Sequence, residues 1–160
     1  MTENLNIDPD TIILYGRSIG SGPSCFLAEK HPVGGLIIQS GLMSIFRVVL
    51  NLRWTLPLDK FPNIDRIPNI DCPVFIIHGT RDEIVPFYHA QEMYKATRHK
   101  YPAYFVEGAG HNNVEKFAGD YLKRVEAFIT HVDEFIRERN RSKGTTSSIQ
   151  YDFHDSDEEE

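Results

Sequence analysis

A chain of 160 residues, 41% hydrophobic with 10 Phe and 7 Tyr, can bury one core and is too short for several ordinary domains. The net charge of −6 is uneven: Lys143 against six acids from Ser142 onward carries −5, which leaves the body at −1 and excludes the clustered Lys and Arg of a nucleic-acid-binding surface. Cys25 and Cys72 sit in apolar runs without disulfide or metal spacing, the first residues do not read as a signal peptide, and no apolar run approaches the ~20 residues that span a bilayer, so a soluble cytoplasmic protein is expected.

The first element in chain order is Thr11–Tyr15, "TIILY", an apolar run without alternation, as in a strand covered on both faces of a parallel sheet. A helix follows over Ser21–Lys30, with Pro23 tolerated in its first turn, and then a buried strand over Leu36–Gln39. Ser44–Leu52 reads as a short apolar helix, and Pro57, Pro62 and Pro68 keep the next stretch irregular. Cys72–Gly79 is a third strand, Tyr88–Arg98 a helix and Ala103–Gly108 a fourth strand. Tyr121–Arg139 is a long amphipathic helix, with Leu122, Val125, Phe128, Ile129, Val132, Phe135 and Ile136 at helical spacing. Residues 1–10 read as the end of a preceding helix and its loop, 11–140 as one partial domain, and 141–160 as a disordered acidic tail.

Strands alternating with helices specify an open parallel sheet of about four strands in a three-layer αβα arrangement, where ligands bind beyond the carboxyl ends of the strands. At the end of the first strand stands "GRSIG", a G-x-S-x-G pattern between strand and helix. A sharp turn there lifts the Ser18 hydroxyl clear of the sheet, leaves no room for side chains at Gly16 and Gly20, and aims the Ile19 N–H at a developing oxyanion. A serine needs a base oriented by a third group. "HGTRDEIVP" places Asp82 after the third strand, with Glu83 as a rival carboxylate, and "EGAGHNN" places His111 on a glycine-rich loop after the fourth. His78, inside a strand, reads as a core histidine. Leu42, Met43, Phe46 and Trp54 read equally well as an apolar wall for an acyl chain or as packing of a helix on the sheet. No His, Cys and Asp cluster has metal-ligand spacing and no phosphate-cradling loop is present, so neither metal nor cofactor is expected.

The motifs "IILYGRSIGSGP", "FPNIDRI", "CPVFIIHGTRDEIVPF" and "VEGAGHNNVE" make the chain, from about Asn6 to Arg139, resemble the C-terminal half of an α/β-hydrolase. The nearest likeness is to the α/β-hydrolase domain-containing 17 group, serine hydrolases that remove palmitate from protein cysteines. The resemblance implies Ser18 as nucleophile, Asp82 as acid, His111 as base, and an acylated protein or small acyl ester as substrate. It implies peripheral membrane association in a full-length parent and a second oxyanion donor outside this chain, which leaves activity of the isolated chain open. Arg17 stands where glutamine is common in the group. A general carboxylesterase or peptidase of the same fold is the alternative. So is an inactive fragment that self-associates along Thr11–Tyr15, which becomes an edge strand when nothing precedes it.

Overall fold

The computed structural model describes residues 7–50, 61–117 and 119–149, and the side chains of all of these except 49–50 and 143–149. Four strands, β1 (Ile13–Arg17), β2 (Gly35–Gln39), β3 (Val74–Gly79) and β4 (Tyr104–Val106), form one sheet in the order β1-β2-β3-β4. All pairs are parallel, with Tyr15 beside Ile37, Ile37 beside Phe75 and Ile77 beside Tyr104. Parallel neighbours require crossovers, and helices supply them. The first is α1 (Ser21–Lys30); α2 (Ile45–Leu50) and α3 (Asn63–Arg66) make the second, and α4 (Tyr88–Ala96) the third. After β4 come α5 (Val114–Phe117) and α6 (Tyr121–Ile149).

Every residue of β2 and β3 is buried, which is why both read as unbroken apolar runs. Their alternate side chains feed two cores. Leu36, Ile38, Val74 and Ile76 pack with Cys25 and Ala28 of α1 and with Ala90 and Met93 of α4. Ile37, Phe75 and Ile77 face the other way, onto Phe128 and Val132 of α6. Phe75, Tyr101 and Phe128 stack mutually, with ring centroids 5.1–5.4 Å apart. Each such ring is worth about 2 kcal/mol of burial. The result is three layers, helices on both faces of a parallel sheet.

The elements follow the sequence closely, with local exceptions. The strand expected at Thr11–Tyr15 starts two residues later, because Asp8 caps a 3-10 turn over Pro9–Thr11. α1 runs as expected and ends where His31 turns extended ahead of Pro32. α4 stops at Ala96 rather than Arg98, since Thr97 is extended and its hydroxyl caps the Met93 carbonyl at 2.8 Å. β4 ends at Val106, where Gly108 turns the chain with φ +76°. The largest correction concerns 141–160, expected to be a disordered tail. Its first nine residues continue α6 to Ile149, beyond the Arg139 boundary. Extending an existing helix adds a hydrogen bond for each residue ordered, Gly144 alone costs only about 1 kcal/mol, and the Ser142 hydroxyl bonds back to the Glu138 carbonyl at 3.0 Å. Residues 1–6, 51–60 and 150–160 lie outside the described residues.

Among the described residues β1 pairs with β2 alone, so it forms a sheet edge where Tyr15 is 47% exposed. No helix among them is long and apolar enough to cross a membrane.

Candidate active site

β1 ends at Arg17, and Ser18 begins a 3-10 turn that leads directly into α1. Ser18 has φ +50°, a left-handed conformation that a side-chain-bearing residue rarely holds unless its surroundings enforce it. Gly16 is one such enforcement. A Cβ there would lie 2.8 Å from the Gly20 carbonyl oxygen, the Ser21 Cα and the Ser24 hydroxyl, so only glycine lets α1 begin this close to β1. Gly20 departs from the expectation. A Cβ there meets nothing within 4 Å and its φ is −62°, so the turn does not exclude a side chain at that position. The crowding falls on the strand side of the elbow only.

A buried polar hub braces the turn. Ser21 Oγ donates to the Ser18 carbonyl at 2.6 Å and accepts from the Leu42 N–H (3.3 Å) and from Asn63 Nδ2 (3.1 Å). Asn63 Nδ2 also donates to the Leu42 carbonyl at 2.9 Å. The sequence pattern carries no sign of Ser21 or Asn63 in this role, because the bonds join segments distant in the chain.

The structure brings Ser18, His111 and Asp82 together in one line of contacts. His111 Nε2 lies 2.9 Å from Ser18 Oγ, and His111 Nδ1 lies 2.7 Å from Asp82 Oδ2. An ionised carboxylate only accepts, so Nδ1 carries the imidazole proton and Nε2 is left to accept from the serine hydroxyl. Asp82 is held on its other oxygen, where Oδ1 accepts from the Ile84 N–H (2.9 Å) and the Val85 N–H (2.7 Å). Asp82 and His111 are each only 7% exposed, whereas the rival Glu83 is exposed and outside this line.

The loops that carry acid and base are bonded to each other. Arg81 N donates to the Ala109 carbonyl (2.9 Å), Thr80 N to the Val106 carbonyl (3.0 Å), and Gly108 N to Thr80 Oγ1 (2.9 Å). Gly79 permits the approach: a Cβ there would lie 2.7 Å from the Ala109 carbonyl carbon and 3.0 Å from the Gly110 oxygen.

Two further histidines surround the acid. His78 is buried, as a core histidine should be, but its Nε2 donates to the Val85 carbonyl at 2.9 Å and lies 3.4 Å from Asp82 Oδ2. Burial pushes its pKa down against the pull of Val85 and Asp82, which keeps it neutral. His89 accepts the Met43 N–H on Nδ1 at 3.1 Å, and burial, with the nearby Arg47 charge and the His78 ring adding, pushes it down to about 4.

The Ile19 N–H follows Ser18 in the turn, while the Ile19 side chain is 59% exposed. Leu42 and Met43 are buried, and Met43 packs in the core with Cys25, Leu36 and Ile38. Met43 also borders a cavity of about 430 Å³ with Arg47, Tyr88 and Glu92, a lining that includes none of Ser18, Asp82 and His111. Phe46 is half-buried on α2, and Trp54 lies outside the described residues. Among the described residues no group of three or more His, Cys, Asp or Glu could hold a metal ion.

No family model matches the chain. It is 44% identical over 126 residues to α/β hydrolase domain-containing protein 17C of Xenopus tropicalis, a match covering 78% of this chain and 40% of that protein. To α/β hydrolase domain-containing protein 17B of Homo sapiens it is 42% identical over 125 residues, covering 78% of this chain and 43% of the relative. The chain therefore spans less than half the length of these curated relatives. A crystal structure of an α/β-hydrolase enzyme from the sediment metagenome of the Mar Chica lagoon superimposes with a TM-score of 0.63 at 14% identity, over 82% of this chain and 66% of that one. With a four-stranded parallel α/β core that superimposes on such a structure, and sequence shared with the 17B and 17C proteins over more than three quarters of its own residues, the chain has the α/β-hydrolase fold and is similar in sequence to the α/β hydrolase domain-containing 17 proteins.

Proposed function

We propose that this chain carries the catalytic triad of a serine hydrolase that cleaves acyl thioesters or esters, with protein depalmitoylation as the reaction of the full-length protein. The observation that carries the reading is the line Ser18 Oγ, His111, Asp82, closed at 2.9 and 2.7 Å on a serine held at φ +50°.

Ser18 Oγ attacks the acyl carbonyl carbon while His111 Nε2 takes the hydroxyl proton. Asp82, fixed by the Ile84 and Val85 N–H groups, stabilises the imidazolium that forms. The carbonyl oxygen becomes an oxyanion and accepts from the Ile19 N–H, a contact that strengthens only as the charge develops. Collapse expels the thiolate or alkoxide, which leaves with the proton from His111, and an acyl group stays on Ser18. Water then attacks that ester, again deprotonated by His111, and releases the free acid. A long acyl chain on a thioester is supported by the likeness to the 17 group alone. A palmitoylated protein resides at a membrane surface, so the full-length protein is expected to be cytoplasmic and peripheral at membranes.

A fluorophosphonate probe is expected to label the full-length protein at Ser18 and to leave Ser18→Ala unlabelled; equal labelling of both would sink the reading. Turnover of a long-acyl thioester against a short ester and an amide then separates a thioesterase from a general carboxylesterase or peptidase.

A further inference from the structure

The base loop carries glycine at 108 and 110, just upstream of His111. Such a loop gives up much conformational freedom when it orders and needs ties on both sides to hold an imidazole in place. Upstream the ties run to the acid turn, through Ala109 and Gly108, and Gly110 N donates to Asn113 Oδ1 at 2.7 Å.

Downstream the ties come from the other two strands. Arg17, the last residue of β1, donates through Nη2 to Asn112 Oδ1 (3.1 Å) and to the His111 carbonyl (3.4 Å). Gln39, the last residue of β2 and fully buried, donates through Nε2 to Glu115 Oε1 at 2.6 Å. Its amide cannot turn over. Oε1 accepts from the Tyr121 hydroxyl at 2.8 Å and from the Tyr15 hydroxyl, so Nε2 faces the carboxylate, which only accepts. The Gln39 bond holds the Glu115 carboxyl below the usual carboxylate range, opposed by partial burial and aided by the Arg17 charge. The two ties thus share an electrostatic neighbourhood around one short segment.

We propose that Arg17 and Gln39 are positioning residues, a two-point clamp from the ends of β1 and β2 that fixes His111–Glu115 and so keeps the imidazole over Ser18. The proposal rests on the hydrolase reading. Neither side chain touches the reacting atoms; both act through the backbone that carries His111. The position between glycine and serine in "GRSIG" then has a task of its own, reaching from the nucleophile's strand to the base's loop.

The test uses the full-length protein with Arg17→Ala, Glu115→Ala, the double variant and Glu115→Gln. Arg17 and Glu115 are exposed, so their truncation leaves the core intact. Three readouts are taken: the rate of fluorophosphonate labelling at Ser18, kcat and KM on an ester, and hydrogen exchange across residues 108–116. Each alanine variant is expected to lower kcat and labelling about tenfold with KM within about twofold, and to speed exchange in that segment. Glu115→Gln keeps an acceptor and should stay within about twofold of the wild type. The double variant should lose less than the product of the singles, because both ties hold one segment. Unchanged kcat, a loss confined to KM, unchanged exchange, or Glu115→Gln as slow as Glu115→Ala would each overturn the clamp. Should the wild type fail to label at Ser18, the hydrolase reading falls, and exchange alone decides the clamp: faster in the alanine variants supports it, unchanged overturns it.

Discussion

Gly79→Ala isolates the approach of β3 to the base loop. The new Cβ would sit 2.7 Å from the Ala109 carbonyl carbon and 3.0 Å from the Gly110 oxygen, and closer still to the Ala109 oxygen. Carbon makes comfortable contact at about 3.5–4 Å, so strand and loop must separate by about 1 Å. All the nearest atoms are backbone, and no flexible side-chain end can yield instead. Strain of this kind costs about 1–3 kcal/mol of stability. His111 directly follows Gly110, so the displacement reaches the imidazole, and about 1 Å of misplacement lowers rate on the order of 10²-fold. The assay is labelling rate at Ser18 together with urea denaturation. Gly119→Ala serves as the comparison, since a Cβ there meets nothing within 4 Å. If Gly79→Ala matched wild type in both stability and labelling while Gly119→Ala did the same, the steric reasoning would be refuted.

Asp82→Asn should fold, since Asn can still accept the Ile84 and Val85 N–H groups on one oxygen. Its amide would donate to His111 Nδ1 and force the proton onto Nε2, away from the tautomer that accepts from Ser18, so kcat should fall by roughly 10⁴-fold with stability nearly kept. Stability should also depend on pH through His89. Its folded pKa is pushed down to about 4, so the unfolded chain binds the proton that the folded chain refuses. Its contribution is complete above about pH 6.5 and shrinks as pH falls toward 4, by an amount on the order of 3 kcal/mol. His78 is shifted in the same direction and adds to the loss. Denaturation midpoints between pH 7 and pH 4 should drop for the wild type and drop less for His89→Gln; parallel curves would count against the buried neutral histidine.

The sheet was legible because parallel strands buried on both faces leave nothing to alternate: "LIIQ" and "VFIIHG" announce themselves as unbroken apolar runs. Helix α1 was legible to its last residue, since Pro32 dictates where His31 must turn extended. Ser18, Asp82 and His111 could be picked out because sheet topology sends every strand end to one edge, and order along the chain then supplies the rest. The supporting bonds could not be read. Asn63 meets Ser21 across 42 residues and Gln39 meets Glu115 across 76, and neither pair has a spacing rule. Gly20 was misread for a related reason. A motif states that glycine occurs there, whereas the packing of helix on strand decides which of the two glycines is pressed against backbone. The stretch 141–149 departs from the expectation because polar composition reports on burial, while helix continuation depends on what precedes it.

The bonds that zip the acid turn to the base loop divide the site into two bodies. Asp82 and His111 stand on two loops bonded directly to each other, 2.7 Å apart. Ser18 belongs to the other body, seated on β1 and braced by Ser21. The gap between hydroxyl and imidazole thus lies between the two bodies, and the bonds from Arg17 to Asn112 and to the His111 carbonyl are what span it. A displacement of β1 would therefore change the Ser18–His111 distance first and leave the 2.7 Å contact between Asp82 and His111 in place.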